Sequence, residues 1–227
     1  MDIWALIPVK SLQQSKRRLA HLLPAARRAE LISGLLQREL RLLNQVPAIS
    51  RVLIISSDPT IWDIARQNGA LVEKEPQSLG LNIAVARGKA IAAEKGASAV
   101  LILPVDLPFI SVADIDLMVR SRQESRSWAA EQPWSAAAKS AECGQDSSQA
   151  GCAIVICSDE DGDGTNALLV NALQDFSFRF GPGSFKSHIE EARKRGMMVH
   201  IVTAPGLGFD IDNEDDWLAY QASRVGF

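Results

Sequence analysis

Five short apolar runs punctuate this chain: Ile3 to Pro8, Val52 to Ser56, Ala99 to Val105, Ala153 to Cys157 and Val199 to Thr203. Several are apolar throughout rather than alternating, as strands must be when both faces of their sheet are covered. Helical patterns lie between them. From Ala25 to Val46, Leu31, Ile32, Leu35, Leu36, Leu40 and Leu43 recur at three- and four-residue steps while Arg27, Arg28, Gln37, Arg38 and Arg41 point away, and Pro47 closes the pattern. Asp58-Pro59 supplies a cap and a first-turn proline for a helix over Thr60 to Asn68, with Gly69 as its stop. Asn82 to Lys95, ended by Gly96, predicts a third helix. Strand, helix, strand, helix, strand in this order is the signature of right-handed βαβ units and an α/β fold with a mainly parallel sheet.

The 227 residues, 47% of them hydrophobic, suffice for one domain with a sizeable core. Lys plus Arg number 24 against 27 Asp plus Glu, a formal net charge of −3, which excludes a chain built to bind nucleic acid or anionic membrane by bulk charge. No apolar run is long enough to span a bilayer, and the acid in Met1-Asp2-Ile3 is foreign to a signal peptide, so the expected location is cytoplasmic. Cys143, Cys152 and Cys157 match neither a disulfide framework nor a zinc site, and Cys152 and Cys157 read as small apolar residues of a buried strand. After a helix expected around Val112 to Arg120, periodicity is lost over 121–150, which reads as an insertion or mobile segment within a single domain spanning 1–227. Trp128 and Trp134 suggest that part of it docks on the body, and a lid, a homodimer contact and a passive insertion all stay open for it.

Five stretches could carry chemistry. Pro8-Val9-Lys10, followed by Lys16 and Arg18, places cations and free N–H groups where the first strand of an open α/β sheet ends, a position that suits a polyphosphate. Asp106 stands between Pro104 and Pro108 at the end of a strong strand, as expected of a magnesium ligand or, more plainly, a turn cap. Asp210 and Asp212 project to the same side of an extended segment and could join Asp106 around Mg²⁺, although Asp212 could instead cap the acidic helix start at Glu214. Asp159 to Gly164 imitates the opening of a calcium loop, but Val170 occupies the position of its bidentate acid, so the turn reads better as an anion contact through Thr165. Gly181-Pro182-Gly183-Ser184 opens a helical pattern and could seat an anion on N–H groups and a hydroxyl, or simply cap the helix. His21, His188 and His200 are scattered and are expected at the surface or at helix ends. Neither a P-loop nor a dinucleotide fingerprint occurs.

Taken in order, Ile7-Pro8-Val9-Lys10 with Lys16 and Arg18, Leu103 to Pro108, Asp163 to Leu168, Phe180 to Phe185 and Gly208 to Asp212 resemble the 2-phospholactate or phosphoenolpyruvate guanylyltransferase family of coenzyme F420 biosynthesis. The resemblance implies a Rossmann-like nucleotidyltransferase sandwich that joins GTP to a small phosphorylated acid and releases pyrophosphate. It implies GTP contacts at Pro8, Val9, Lys10, Lys16 and Arg18, with Gly80 and Asn82 beside the guanine. Catalytic roles would fall to Lys10, Lys16 and Asp106, Mg²⁺ to Asp106, Asp210 and Asp212, and the phospho-acid to Thr165, Gly181 and Ser184. The acceptor stays open among phosphoenolpyruvate, 2-phospho-L-lactate and 3-phospho-D-glycerate. A molybdenum-cofactor guanylyltransferase or sugar-phosphate nucleotidyltransferase would carry a Gly-rich signature where this chain has Pro8-Val9-Lys10, and a GTP-binding module without catalysis would not need three acids.

Overall fold

The computed structural model describes residues 2–75, 80–131 and 153–225. In chain order the elements are β1 (Ile3–Pro8), α1 (Ala25–Leu43), β2 (Ile49–Ser56), α2 (Pro59–Gln67), β3 (Leu71–Lys74), α3 (Leu81–Glu94), β4 (Ala99–Ile102), α4 (Val112–Glu131), β5 (Ala153–Ser158), β6 (Thr165–Asn171), α5 (Ser184–Lys194), β7 (Met198–Ile201), α6 (Pro205–Gly208) and α7 (Glu214–Val225). They form one seven-stranded sheet in the order β3-β2-β1-β4-β6-β5-β7. All pairings are parallel except those of β6, which runs antiparallel to both β4 and β5.

The all-apolar strands are explained by what covers them. Ile3, Ala5 and Ile7 of β1 pack with Ile32, Leu36 and Leu40 of α1, Ile61 of α2 and Ile115 and Met118 of α4. On the other face, Trp4 and Leu6 meet Ala84 and Val85 of α3 and Ile189 and Ala192 of α5. The result is a sheet between two helical layers, as the sequence predicts. On its second face α3 lies so close that a Cβ on Gly88 would sit 2.4 Å from Ile55 Cδ1 and 2.5 Å from Leu6 Cδ1, so the small residue sets the helix-to-sheet distance.

Several boundaries differ from the sequence reading. Helix α1 stops at Leu43 rather than Val46, because Gln45 and Val46 N–H groups bond three residues back, to Leu42 and Leu43, in a tightened final turn. Strand β4 ends at Ile102, and although Leu103 N–H still bonds Leu6 C=O, Pro104 has no N–H with which to continue the ladder. Strand β7 runs from Met198 to Ile201, one residue earlier at its start and two at its end than expected. Strands β3 and β6 were not expected at all. Helix α4 does not end near Arg120 but runs on to Glu131, with Arg122 buried, so that part of 121–150 is regular structure. The remainder of that segment, with Trp134, Cys143 and the neighbouring Cys152, lies outside the described residues. Cys157 is a buried free thiol on β5, as expected. Among the described residues, no helix is long and apolar enough to cross a membrane.

Candidate active site

Three connections leave the same edge of the sheet and converge: the loop after β1, the Leu103 to Pro108 stretch after β4, and the Phe209 to Asp212 stretch after α6. The first loop is stapled from outside. Arg28 on α1, itself buried, donates from Nε to Ser15 C=O (3.2 Å) and from Nη1 to Leu23 C=O (2.7 Å). Asp58 accepts the Leu12 N–H (2.8 Å) with one oxygen and caps α2 through the Thr60 N–H (2.9 Å) with the other. Within this stapled loop Lys16 takes a left-handed conformation (φ 50°), unusual for a side chain with a Cβ, and aims its ammonium inward. Ile211 N–H donates to Asp106 C=O (3.2 Å), tying the second and third connections together.

The convergence brings Asp106, Asp210 and Asp212 within 4.8 Å of one another at their carboxylate oxygens. Lys16 Nζ donates to Asp106 and, at 2.8 Å, to Asp212, while Arg18 reaches Asp212 at 3.3 Å. Burial of Lys16 opposes its charge, but the two aspartates outweigh it and hold the ammonium protonated. Burial likewise works against Asp212, and Lys16, Arg18 and Lys10 overcome it and lower its pKa. Asp210 makes no ion pair among the described residues. Burial, then the charges of Asp106 and Asp212, raise it to about 7, offset in part by Asn166, whose amide donates to it at 3.3 Å, and only slightly by the more distant charge of Lys16. Asp106 Oδ1 is buried with no hydrogen-bond partner among the described residues. Three carboxylates this close, one raised in pKa and one oxygen orphaned, form an oxygen donor set that fits a hard divalent cation.

The plainer readings of these acids do not hold. Among the described residues Asp106 caps nothing: one carboxylate oxygen takes Lys16 and the other accepts no N–H. Nor does Asp212 cap α7: Asn213 Oδ1 accepts from Asp215 and Asp216 N–H, and Asp216 closes the turn by accepting from Asp212 and Asn213 N–H.

Beside the acids opens a cleft of about 420 Å³, lined by Pro8, Val9, Lys10, Lys16, Arg18, Gly80, Asp106 and Asp212 among others. That volume lies in the range of small-ligand sites. Gln14, Ser57, Glu75 and Leu81 also line it and carried no signal in the sequence. Asn82 does not line it. Its side chain is spent on a two-way clamp, accepting the Phe180 N–H (2.7 Å) and donating to the Phe180 C=O (3.2 Å), so that it joins the start of α3 to the turn before α5.

Thr165, Gly181 and Ser184 are gathered in one place, outside that lining. Thr165 begins strand β6 rather than lying in a turn, and Ser184 opens α5; both are buried. Their oxygens are 3.2 Å apart, and Thr165 Oγ1 lies 3.0 Å from Nδ1 of His188. The expected seat of N–H groups in the Gly181 to Ser184 turn is corrected: Gly183 N–H goes to the Asp163 carboxylate (2.9 Å), Ser184 N–H to Gly181 C=O (3.1 Å) and Phe185 N–H to Asp163 C=O (3.0 Å). Among the described residues, the Gly181 N–H and the two hydroxyls are what is left to offer an anion. His188 is neither at the surface nor at a helix end but is fully buried within α5, contrary to the sequence reading, with Phe176 and Phe180 rings at 5.9 and 4.7 Å. His21 is exposed beside Glu214 (3.2 Å) and His200 sits on β7.

A mainly parallel sheet flanked by helices, with cations and acids gathered at one edge, is an α/β sandwich whose fold is shared with solved nucleotidyltransferases. Solved structures of the same fold include a cytidylyltransferase from Leptospira borgpetersenii (TM-score 0.62, 13% identity, covering 100% of this chain and 88% of that one). Another is a CMP:2-keto-3-deoxy-manno-octonic acid synthetase complexed with CTP (TM-score 0.60, 10% identity, 99% of each chain). The family model described as "Guanylyl transferase CofC like" matches residues 3–126 and 146–220. The phosphoenolpyruvate guanylyltransferase of Rubrobacter xylanophilus is 35% identical over 223 residues, covering 98% of this chain and 95% of that protein. The enzyme of the same name from Roseiflexus castenholzii is 35% identical over 227 residues (99% and 91%), and a 3-phospho-D-glycerate guanylyltransferase from Phenylobacterium zucineum is 29% identical over 218 residues (93% and 86%). This chain belongs to the CofC-like guanylyl transferase family and is an enzyme of nucleotidyl transfer.

Proposed function

We propose that this enzyme transfers GMP from GTP to the phosphate of a small phospho-acid, with phosphoenolpyruvate the first candidate acceptor, and releases pyrophosphate, a step serving coenzyme F420 biosynthesis. The observation that carries the reading is the juxtaposition of Asp106, Asp210 and Asp212 with Lys16 at the edge of a cleft lined by Lys10, Arg17 and Arg18. Names of the relatives favour phosphoenolpyruvate over 3-phospho-D-glycerate as acceptor, and 2-phospho-L-lactate stays a third candidate.

The chemistry needs no protein nucleophile. A phosphate monoester oxygen of the acceptor, anionic at neutral pH, attacks the α-phosphorus of GTP; the new P–O bond forms as the bond to the β-phosphate oxygen breaks, and pyrophosphate carries the electron pair away. What the protein must supply is relief of the repulsion between two anions. Lys10 and Arg18, from the loop after β1, face the triphosphate. Lys16, held protonated, offers a fixed positive charge at the acids, pairs with Asp106 and Asp212, and helps to lower the pKa of Asp212. Asp106, Asp210 and Asp212 would hold Mg²⁺, which when bound neutralises phosphate charge and polarises the phosphoryl group. The hydroxyls of Thr165 and Ser184, with the Gly181 turn, receive the acid.

The test is pyrophosphate release from GTP and Mg²⁺ with each of the three acids and with none. Release that depends on one acid supports the reading and names the substrate. Silence with all three, from protein that binds GTP, overturns it.

A further inference from the structure

His188 holds a hydrogen-bond position that fixes which way the two hydroxyls beside it face. The Arg179 backbone N–H lies 2.9 Å from His188 Nε2, and an amide N–H can only donate, so Nε2 is the acceptor and bears no hydrogen. In a neutral ring the hydrogen then resides on Nδ1, which faces Thr165 Oγ1 at 3.0 Å and must donate to it. Neutrality is enforced by the surroundings: the ring is fully buried between Phe176 and Phe180, and burial, assisted by Arg179 and opposed by Glu191, lowers its pKa to about 4.

The hydrogen count that follows is short. Thr165 Oγ1 accepts from His188, and one hydrogen joins the Thr165 and Ser184 hydroxyls across 3.2 Å. The pair owns two hydroxyl hydrogens and spends one, and among the described residues no further acceptor is bonded to either oxygen. Were the ring hydrogen on Nε2 instead, Nδ1 would accept a hydroxyl hydrogen and the pair would have none to give. We infer that His188 is a positioning residue that, through its Nδ1–H, polarises the Thr165–Ser184 pair into a one-hydrogen donor for an anionic oxygen of the phospho-acid. This rests on the acceptor-binding role proposed above for Thr165 and Ser184.

Two replacements separate the two jobs of the ring. In His188→Gln the amide oxygen reaches the place of Nε2 and serves Arg179 but gives Thr165 nothing; in His188→Asn the amide nitrogen stands near the place of Nδ1 and serves Thr165 but leaves the Arg179 N–H unpaired. With phosphoenolpyruvate as the probe, His188→Gln is expected to raise its KM about tenfold with the KM for GTP within about twofold and Tm near the parent's. His188→Asn should melt lower yet keep the KM for phosphoenolpyruvate within about threefold. Thr165→Val and Ser184→Ala, measured alongside, test the underlying reading: if neither moves that KM, the seat itself is wrong whatever His188 does. If they raise it and His188→Gln does not, or if KM follows Tm through both histidine variants, the polarising role is overturned. Should His188→Gln not fold, ¹⁵N spectra of the parent's imidazole decide: a hydrogen on Nδ1 agrees with the inference, and one on Nε2 sinks it.

Discussion

At the scale of single residues, the acids are poised rather than merely clustered. Asp210, raised to about 7 from 3.8, keeps in the folded state a proton that an unfolded chain has released, so in cation-free protein its contribution to stability falls as pH rises across that window. A divalent cation binding there must displace the proton. Its affinity should therefore drop about tenfold per pH unit below about pH 7 and level off above about pH 8, read by titration calorimetry in buffers of differing ionisation enthalpy. Affinity that is flat from about pH 5.5 to pH 8.5 would contradict the assignment. Asp106 is the second case. Its Oδ1, buried without a hydrogen-bond partner among the described residues, costs on the order of 1–3 kcal/mol, which a bound cation would offset. Asp106→Asn should reduce turnover by a factor on the order of 10³ while Tm moves by only a few degrees, because shape and packing are kept. Turnover at the parent rate would remove Asp106 from the metal site. These acids were legible in the sequence because Asp106 stands between prolines at a strand end and Asp210 and Asp212 alternate along an extended segment. His188 was not, since its partners arrive from β6 and from the turn before α5 and nothing in its own neighbourhood along the chain marks it.

Elements place these residues, and the tightest placement is at the four-residue helix α6, which lies just before Asp210. A Cβ on Gly206 would sit 2.5 Å from the Phe109 carbonyl oxygen and 2.2 Å from Asp114 Oδ2. The backbone oxygen cannot swing aside, and Asp114 is engaged with Ser111, accepting its N–H (2.8 Å) and O–H (2.6 Å) at the start of α4. Gly206→Ala is thus expected to cost about 1–3 kcal/mol and, by displacing α6, to lower turnover more than the stability loss explains at a temperature where the protein is folded. Denaturant unfolding together with kcat on the same preparation checks this, and an alanine variant with parent stability would mean the segment yields freely. The elements that the sequence did not disclose stayed hidden for different reasons. Strand β3 is a short edge strand, Leu71-Val72-Glu73-Lys74, with little to bury, whereas β6 does carry a buried apolar run, Ala167 to Val170, but opens with the polar Thr165 and Asn166 directly after an Asp- and Gly-rich stretch that predicts a turn. The longer α4 was hidden for another reason: past Arg120 it runs Ser, Arg, Gln, Glu, Ser, Arg, Ser before Trp128 and two alanines, residues that sustain a helix without a recurring apolar stripe.

Across the whole molecule, the antiparallel β6 changes what the sheet can do. Inserted between β4 and β5, it turns the start of its own chain, Thr165 and Asn166, toward the edge where the parallel strands β1 and β4 end. Asn166 then reaches Gly208 C=O (3.0 Å) and Asp210, while Thr165 meets α5, so one strand start links the acids to the hydroxyl pair. Lys16 bonds acids 90 and 196 residues away in sequence, and the site is a knot joining segments from both ends of the chain. A ligand that bridges such a knot binds only the folded state, and at a hundredfold excess over Kd adds about 2.7 kcal/mol of stability. For a chain of this length that corresponds to a rise in Tm of roughly 5–10 °C. GTP with Mg²⁺ should produce that rise, GTP or Mg²⁺ alone much less, and Asp106→Asn should abolish the synergy while moving the unliganded Tm by only a few degrees. If GTP alone stabilises as much as GTP with Mg²⁺, the three acids do not work together with the nucleotide cleft, and the convergence at this sheet edge would have to be explained without a shared cation.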